Sequence, residues 1–122
     1  MTKIICAKTH ADFLNKAFGT HYKSFMRSRW DYDSDTWVWM VRMDGQIRGG
    51  WLNQITSDGE IVEEYVENDL PTYANEAEKP YRIVVRIFDT FSGREYHILG
   101  KYKYDFARST NKKHILVKTK EE

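Results

Sequence analysis

All four tryptophans of this chain fall between positions 30 and 51. Within that stretch, residues 36–43 are apolar at nearly every position, so a strand formed there carries large side chains on both faces. Such a strand is stable only where other elements cover each face. We therefore predict a central strand, with Trp37 and Trp39 in the core. Trp30 and Trp51 stand beside polar or glycine residues and are the better candidates for contact with a ligand.

Turn residues divide much of the chain into strand-like segments. Asp-Gly pairs at positions 44–45 and 58–59 are strong hairpin signals and predict a three-stranded meander. Its strands are residues 36–43, 46–53 and 60–66. A second meander is predicted with strands at residues 81–89, 94–104 and 113–119. Both prolines lie in residues 67–80, which are predicted to form a long loop, and Gly49-Gly50 predicts a bulge or a close approach of another backbone segment.

The N-terminal part begins with a short β-prone run at residues 3–7 and then changes to a helical pattern. Thr9 can act as an N-cap and Gly19 as a C-terminal stop, and the apolar residues between them share one helical face. A second helical turn is predicted at residues 21–28, because its apolar residues continue this spacing. Together these segments predict an α+β fold, with short N-terminal helices packed on a mostly antiparallel six-stranded sheet that could curl into a partial barrel.

Composition narrows the class of protein. A length of 122 residues fits one domain spanning residues 1–122. Cys6 is the only cysteine, which excludes an internal disulfide and a cysteine-based zinc site and favours a reducing compartment. No apolar run is long enough for a transmembrane helix, so we expect a cytoplasmic protein without membrane contact. The four histidines are scattered without metal-ligand spacing, and no metal or cofactor is predicted.

The formal net charge is only +1, but the two signs are unevenly spread along the chain. Acidic side chains concentrate in residues 60–78 and basic side chains in residues 101–120. A basic surface attracts phosphates by releasing counterions, although a nearly neutral total charge weakens that argument. The distribution is therefore compatible with a nucleic-acid partner, and an ordinary solvated surface is the alternative.

The strand predicted at residues 81–89 alternates in character, so that Arg82 and Arg86 share one face. If the polar faces of the three strands in this meander coincide, they form one basic surface able to hold several phosphates. Its members are Arg82, Arg86, Lys101, Lys103 and Lys118. These five, with Trp30 and Trp51, are the candidate ligand-binding residues. The alternative is a solvated antiparallel face, on which alternating charge is ordinary.

Residues 82–105 carry a further pattern. The strand that ends in Leu99-Gly100 is followed by aromatic residues and then by Asp105. This stretch resembles the β-barrel modules of the PUA and SRA group, which accompany bacterial restriction and other defence proteins. The resemblance implies a domain that reads nucleic acid, with aromatic side chains holding a base and basic side chains holding the backbone. It implies no catalytic residues, and the tryptophan-rich stretch is not part of the pattern.

Two classes of function remain open. The first is a small non-catalytic binding module that engages nucleic acid or a nucleotide-like ligand through the basic face and the tryptophans. The second is a protein-interaction or inhibitor module, such as a phage-encoded antagonist of a bacterial defence enzyme. It would bind a nucleic-acid-processing protein through its acidic segment or its tryptophans. An enzyme is disfavoured, because Asp89, Glu95 and Lys101 lack the spacing of acid and lysine found in metal-dependent nucleases.

Overall fold

The computed structural model describes residues 3–71 and 78–119, and within them the chain forms eight strands and one helix. In chain order the elements are β1 (Lys3–Ala7), α1 (His10–Phe18), β2 (Arg29–Asp31), β3 (Thr36–Val41), β4 (Trp51–Ile55), β5 (Ile61–Tyr65), β6 (Tyr81–Thr90), β7 (Gly93–Tyr104) and β8 (Lys113–Lys118). The fold is therefore mostly β, rather than an α+β domain with several helices. The centre of the predicted loop at 67–80, with Glu76, and the basic Lys120 lie outside the described residues. No helix in the described ranges is long and apolar enough to cross a membrane.

Helix α1 begins and ends where the sequence predicts. The side chain of Thr9 accepts a hydrogen bond of 3.0 Å from the backbone N–H of Asp12, and Gly19 ends the helix with a φ of 70°. An N-cap bond of this kind stabilises a helix by about 1 kcal/mol. The apolar face of the helix buries Phe13 and Leu14 completely against the sheet.

The second helical turn predicted at residues 21–28 is wrong, because this segment is irregular. The side chain of Asn15 captures both backbone groups of Tyr22: its amide donates to the carbonyl at 2.9 Å, and its carbonyl accepts from the N–H at 2.9 Å. At the end of the segment, the N–H of Met40 donates to the carbonyl of Ser28 at 2.8 Å, which leads the chain directly into β2. The hydrogen bonds from the Asn15 side chain to the backbone, together with sheet pairing, therefore outweigh the helical tendency that the apolar spacing indicates.

The eight strands form one sheet in the order β2-β3-β6-β7-β8-β5-β4, with β1 paired to β7. The second predicted meander is confirmed, since β6, β7 and β8 pair antiparallel in sequence order. The hairpin at the second Asp-Gly pair is also confirmed by the antiparallel pairing of β4 with β5. Local turn signals were sufficient for both.

The hairpin predicted at the first Asp-Gly pair is wrong. Strand β3 pairs antiparallel with β2 on one side and parallel with β6 on the other, so it has no free edge for β4. The turn is closed by its own side chains, because the carboxylate of Asp44 accepts two hydrogen bonds of 2.7 Å from Arg48 and one of 3.1 Å from the N–H of Gln46. It redirects the chain to the far edge of the sheet, where β4 lies.

The sheet has two buried faces. On the helix face, the core residues packed together beneath α1 are Ala7, Phe13, Leu14, Val38, Met40, Val85, Ile87 and Tyr96. On the inner face, the core residues are Trp39, Val41, Met43, Ile61, Val84, Tyr102, Tyr104 and Leu116. This second cluster joins residues of β3 and β5, which are separated in the sheet order by β6, β7 and β8. The sheet therefore curls over its inner face, but it stays open and does not close into a barrel.

Strand β3 is buried at all of its residues, as expected for a central strand with cover on both faces. Trp37 is 8% exposed and Trp39 is 2% exposed, which confirms that these two indoles belong to the core. Their side chains point to the inner face, since they alternate with Val38 and Met40 on the helix face. The inner face thus carries both of these indoles.

Candidate functional site

A cluster of charged side chains is buried on the inner face. The side chain of Arg82 on β6 is 0% exposed, and its Nη2 atom lies 2.7 Å from Oε1 of Glu78 and 3.1 Å from Oε1 of Glu63 on β5. His114 on β8 completes the cluster, with its Nδ1 atom 2.7 Å from Oε1 of Glu63 and 3.3 Å from Oε1 of Glu78. Burial of charge is costly unless each group is paired, so the cluster links three separate parts of the chain, namely β5, residues 78–82 and β8.

Opposite charges keep Arg82 and Glu63 ionised despite their burial. Burial by itself raises the pKa of Glu63, but the charge of Arg82 and the hydrogen bond from His114 outweigh it and lower the pKa to about 2. Burial likewise tends to lower the pKa of Arg82, and the charges of Glu63 and Glu78 raise it instead. The guanidinium and the Glu63 carboxylate are therefore both charged at neutral pH.

Glu63, Glu78 and His114 also place three potential metal-ligand atoms within 4.8 Å of one another. The guanidinium of Arg82, however, lies within hydrogen-bonding distance of both carboxylates and takes the place of a cation between them. This set of donors therefore fits an arginine better than a metal ion.

Aromatic rings surround the charged cluster. The guanidinium carbon of Arg82 lies 4.6 Å from the ring centroid of Trp39 and 5.8 Å from that of Trp37. The ring of His114 lies 5.4 Å from that of Trp51, at an interplanar angle of 33°, and 5.4 Å from that of Tyr104. Three of the four tryptophans thus lie around one guanidinium and one imidazole.

An open cavity of about 500 Å³ lies between β4 and the residues that follow β3. Its lining residues are Met43, Gly45, Leu52, Asn53, Gln54, Ile55 and Arg86. Asn53 pairs with Glu63 in the register of β4 and β5, so its side chain shares the inner face with the buried cluster. The volume falls within the range of about 300–1,000 Å³ that is usual for small-ligand sites.

Two buried polar atoms of the cavity lining, Oδ1 of Asn53 and Nε of Arg86, have no hydrogen-bond partner within the described part of the chain. Leaving such an atom unpaired costs about 1–3 kcal/mol. Arg86 is held in place by other contacts: its Nη2 donates to the carbonyl of Met43 at 3.2 Å, and its guanidinium carbon lies 4.7 Å from the ring centroid of Phe88. The residues that line the cavity therefore include one acceptor and one donor without a partner in the described part of the chain.

The two tryptophans predicted to contact a ligand lie on opposite edge strands and opposite faces of the sheet. Trp30 packs on the helix face, where its indole N–H donates to the hydroxyl of Tyr22 at 2.9 Å and its ring lies 5.3 Å from that of Phe18. Trp51 is partly buried on the inner face, two residues before Asn53 on the same strand. Of the two, Trp51 lies on the strand that lines the cavity.

The predicted basic residues do not share one surface. The expectation that Arg82 is exposed is wrong, because the curled sheet buries it and two carboxylates already pair with it. Arg86 lies on the same face and lines the cavity.

The three lysines divide between the two sides of the sheet. Lys101 and Lys103 flank the inward-facing Tyr102 on β7, so they point outward, with the Nζ of Lys101 4.3 Å from the ring centroid of Tyr81. Lys118 pairs with Tyr102 in the register and is exposed at the end of β8. A role for these lysines in binding stays a prediction.

Sequence reasoning missed Asn53, Glu63, Glu78 and His114. A signal for Glu63 is present in the strand itself, since it stands on the same face as Ile61 and Tyr65, and both of these are buried. A charged residue on an apolar strand face indicates a buried partner. Its partners come from distant segments, so no local spacing identifies them.

An open sheet curled over an aromatic and charged inner face, with one helix on the other face, belongs to the class of SRA/PUA-like β-modules. The family model of the SET and RING associated (SRA) domain matches residues 2–120, and the chain belongs to this family. The resemblance predicted from residues 82–105 is thereby confirmed, and it extends over nearly the whole chain.

Among solved structures, the chain is similar to one described as the 5-hydroxymethylcytosine-specific restriction enzyme AbaSI, with 25% sequence identity and a TM-score of 0.70. The similarity covers 95% of this chain and 38% of that enzyme. The chain therefore corresponds to well under half of the enzyme. No curated protein sequence matches the chain.

Proposed function

We propose that this chain is a DNA-binding module that takes a modified cytosine, extruded from a duplex, into the cavity beside Asn53 and Arg86. The observation that carries the proposal is the pair of unpartnered buried atoms in the cavity lining, Oδ1 of Asn53 and Nε of Arg86. Membership of the SRA family supports it, as does the similarity to an enzyme described as specific for 5-hydroxymethylcytosine. A base inside a duplex is stacked and paired, so it has to leave the helix to enter such a cavity.

The chemistry of these two atoms suits cytosine. Cytosine carries an exocyclic amino donor, which Oδ1 of Asn53 would accept, and ring acceptors, to which the Nε–H of Arg86 would donate. Thymine has no amino donor at the same position and would leave Asn53 unpaired, at a cost of about 1–3 kcal/mol. The cavity thus favours cytosine over thymine before any contact with a substituent is counted.

Trp51 supplies an aromatic surface beside the cavity. It lies two residues from Asn53 on one strand face, a separation of roughly 7 Å. Stacking of a base on an aromatic side chain is worth about 1–3 kcal/mol. In this proposal Arg86 and Trp51 keep the binding role predicted for them, and Lys118, exposed at the end of β8, is the lysine best placed to meet a phosphate.

The inhibitor alternative has less support. An acidic surface that imitates DNA needs exposed carboxylates, but Glu63 and Glu78 are turned inward toward Arg82. Glu60 is also engaged, since its carboxylate accepts hydrogen bonds of 3.3 and 2.7 Å from Arg108. Three of the acidic residues in this segment are therefore engaged in contacts within the fold.

The test measures binding by fluorescence polarisation to duplexes of one sequence that differ only at a central cytosine, which is unmodified, 5-methylated or 5-hydroxymethylated. We expect a modified duplex to bind at least about tenfold more tightly than the unmodified one, a difference of about 1.4 kcal/mol. For all three duplexes, the logarithm of the binding constant should fall linearly with the logarithm of salt concentration. Equal affinity for the three duplexes would contradict the proposal.

Two variants locate the binding site. Asn53→Leu keeps nearly the same volume but has no acceptor for the amino group of cytosine, so the base should no longer enter the cavity, and the modified duplex should then bind no more tightly than the unmodified one. Lys103→Ala, on the outward side of β7, is the matched control: if Lys103 meets a phosphate, its loss lowers affinity for every duplex equally and leaves the preference unchanged. A preference that survives Asn53→Leu would place the base elsewhere.

A further inference from the structure

The buried charged cluster meets strand β4, which lines the cavity, through the rings of His114 and Trp51. Their centroids are 5.4 Å apart and their planes are inclined by 33°. Trp51 also meets the ring of Tyr65 edge-on, at 5.1 Å and 67°. The indole of Trp51 therefore contacts both an imidazole and a phenol, although the residue itself stays partly exposed.

His114 is also held by contacts to residues other than Trp51. Its side chain is 7% exposed, and its Nδ1 atom lies 2.7 Å from Glu63 and 3.3 Å from Glu78. Both carboxylates are in turn held by the guanidinium of Arg82, and the ring of Tyr104 packs edge-on against the imidazole at 61°. A ring held at one nitrogen by a paired carboxylate and packed against a second ring has a defined plane.

We propose that His114 is a positioning residue that holds the indole of Trp51 in the orientation in which it meets a base bound at Asn53. His114 would act through Trp51 and would not touch the DNA. This role also accounts for the buried ions, whose burial is costly. Arg82 and the two glutamates hold the imidazole, and the imidazole in turn orients the indole. The inference rests on the proposed function for the identity of the ligand, but the orientation of Trp51 can be measured without DNA.

Two substitutions separate the two properties of His114, which are its hydrogen bond to Glu63 and its ring against Trp51. His114→Asn keeps an N–H close to the position of Nδ1, and so keeps a donor for Glu63, but it removes the ring. His114→Phe keeps a ring against Trp51 but leaves Glu63 without this donor, which lowers stability. If the ring is what positions Trp51, the phenylalanine variant preserves its orientation and the asparagine variant does not.

The measurement is ¹⁹F NMR of the protein labelled with 5-fluorotryptophan, with the Trp51 resonance assigned by its loss in Trp51→Phe. We expect His114→Asn to shift or broaden the Trp51 resonance and to lower affinity for the 5-hydroxymethylated duplex about tenfold. His114→Phe should keep the Trp51 resonance near its original position and affinity within about threefold. The resonances of Trp37 and Trp39 report whether each variant keeps the core intact.

An unchanged Trp51 resonance in His114→Asn would overturn the inference, and so would an equal displacement in both variants while Trp37 and Trp39 are unaffected. Should His114→Asn fail to fold, His114→Leu, which fills similar space without a ring, takes its place with the same expectation. If the wild-type protein prefers no modified duplex, the proposed function fails, yet the Trp51 resonance still decides whether His114 positions the indole.

Discussion

At the scale of single residues, Gly50 permits the packing around Trp51. Its φ is +87°, and a Cβ atom there would lie 2.3 Å from Cε1 of Tyr65. Another backbone approaches as the sequence predicts, because the carbonyl of Gly50 accepts a hydrogen bond of 2.8 Å from the N–H of Val66. The missing side chain thus makes room for the Tyr65 ring, which packs against Trp51.

We expect Gly50→Ala to destabilise the protein more than Gly45→Ala. Gly45 also has a positive φ, of +80°, but nothing lies within 4 Å of a Cβ placed there. Both substitutions therefore introduce backbone strain of about 1–3 kcal/mol. Only Gly50→Ala also overpacks against Tyr65, at a cost of about 1–3 kcal/mol. Urea unfolding of the two variants measures the difference, and equal midpoints would contradict the contact with Tyr65.

At the scale of elements, His10 ties helix α1 to strand β7. Its Nδ1 atom lies 2.8 Å from the hydroxyl of Tyr96, and the two rings pack edge-on at 5.8 Å. Burial, followed by the charges of Arg94 and Arg42, lowers the pKa of His10 from 6.5 to about 4. Between these two values the unfolded chain binds a proton that the folded protein does not, so protonation favours unfolding.

The stability contributed by neutral His10 is fully present above about pH 6.5 and is lost as the pH falls toward 4. We expect the melting temperature to decrease between pH 6.5 and 4.5, a window that lies above the titration of Glu63. His10→Gln, which does not titrate, should flatten this decrease, whereas the exposed control His21→Gln should keep it. The same slope in His10→Gln as in the wild type would assign the effect to another group.

At the scale of the whole molecule, the Arg82 cluster joins segments that are distant in sequence and in sheet order. It connects β6 to β5 and β8 and to the chain before β6, across the inner face over which the sheet curls. Removal of one buried partner leaves the others charged and unpaired, whereas replacement of a whole ion set by apolar groups can be neutral. The curled shape therefore depends on Arg82 more than on any exposed arginine.

Arg82→Met should lower the free energy of unfolding by about 3–5 kcal/mol, because it removes the buried guanidinium that pairs with both Glu63 and Glu78, although Arg29 stays 3.6 Å from Glu78. Arg108→Met is the matched control, since Arg108 binds Glu60 and Asp105 at an exposed position, where ion pairs contribute little. Chemical unfolding followed by tryptophan fluorescence compares the two. A loss in Arg82→Met no larger than in Arg108→Met would show that the cluster is not a main support of the fold.

The sequence by itself determined the parts of this protein that depend on neighbours along the chain. Thr9 and Gly19 bound α1, the turn after β4 sets one hairpin, and alternation through residues 81–89 predicts β6. The apolar run at 36–43 also identified the central strand, because a strand with two apolar faces requires cover on both sides. Each of these follows from caps, turns or periodicity.

Only the tertiary structure decided the sheet order and the site. The pairing of β3 with β6 joins residues about 45 apart in sequence, for which no local signal exists. A solvated face and a face that a curled sheet buries can have the same alternating charge in the sequence. Arg82 was therefore predicted to contact phosphate, whereas the structure shows a buried ion. Asn53, Glu63 and His114 come together because long-range hydrogen bonds and apolar burial bend three strands over one face. The spacing of residues along the chain does not predict such distances between strands.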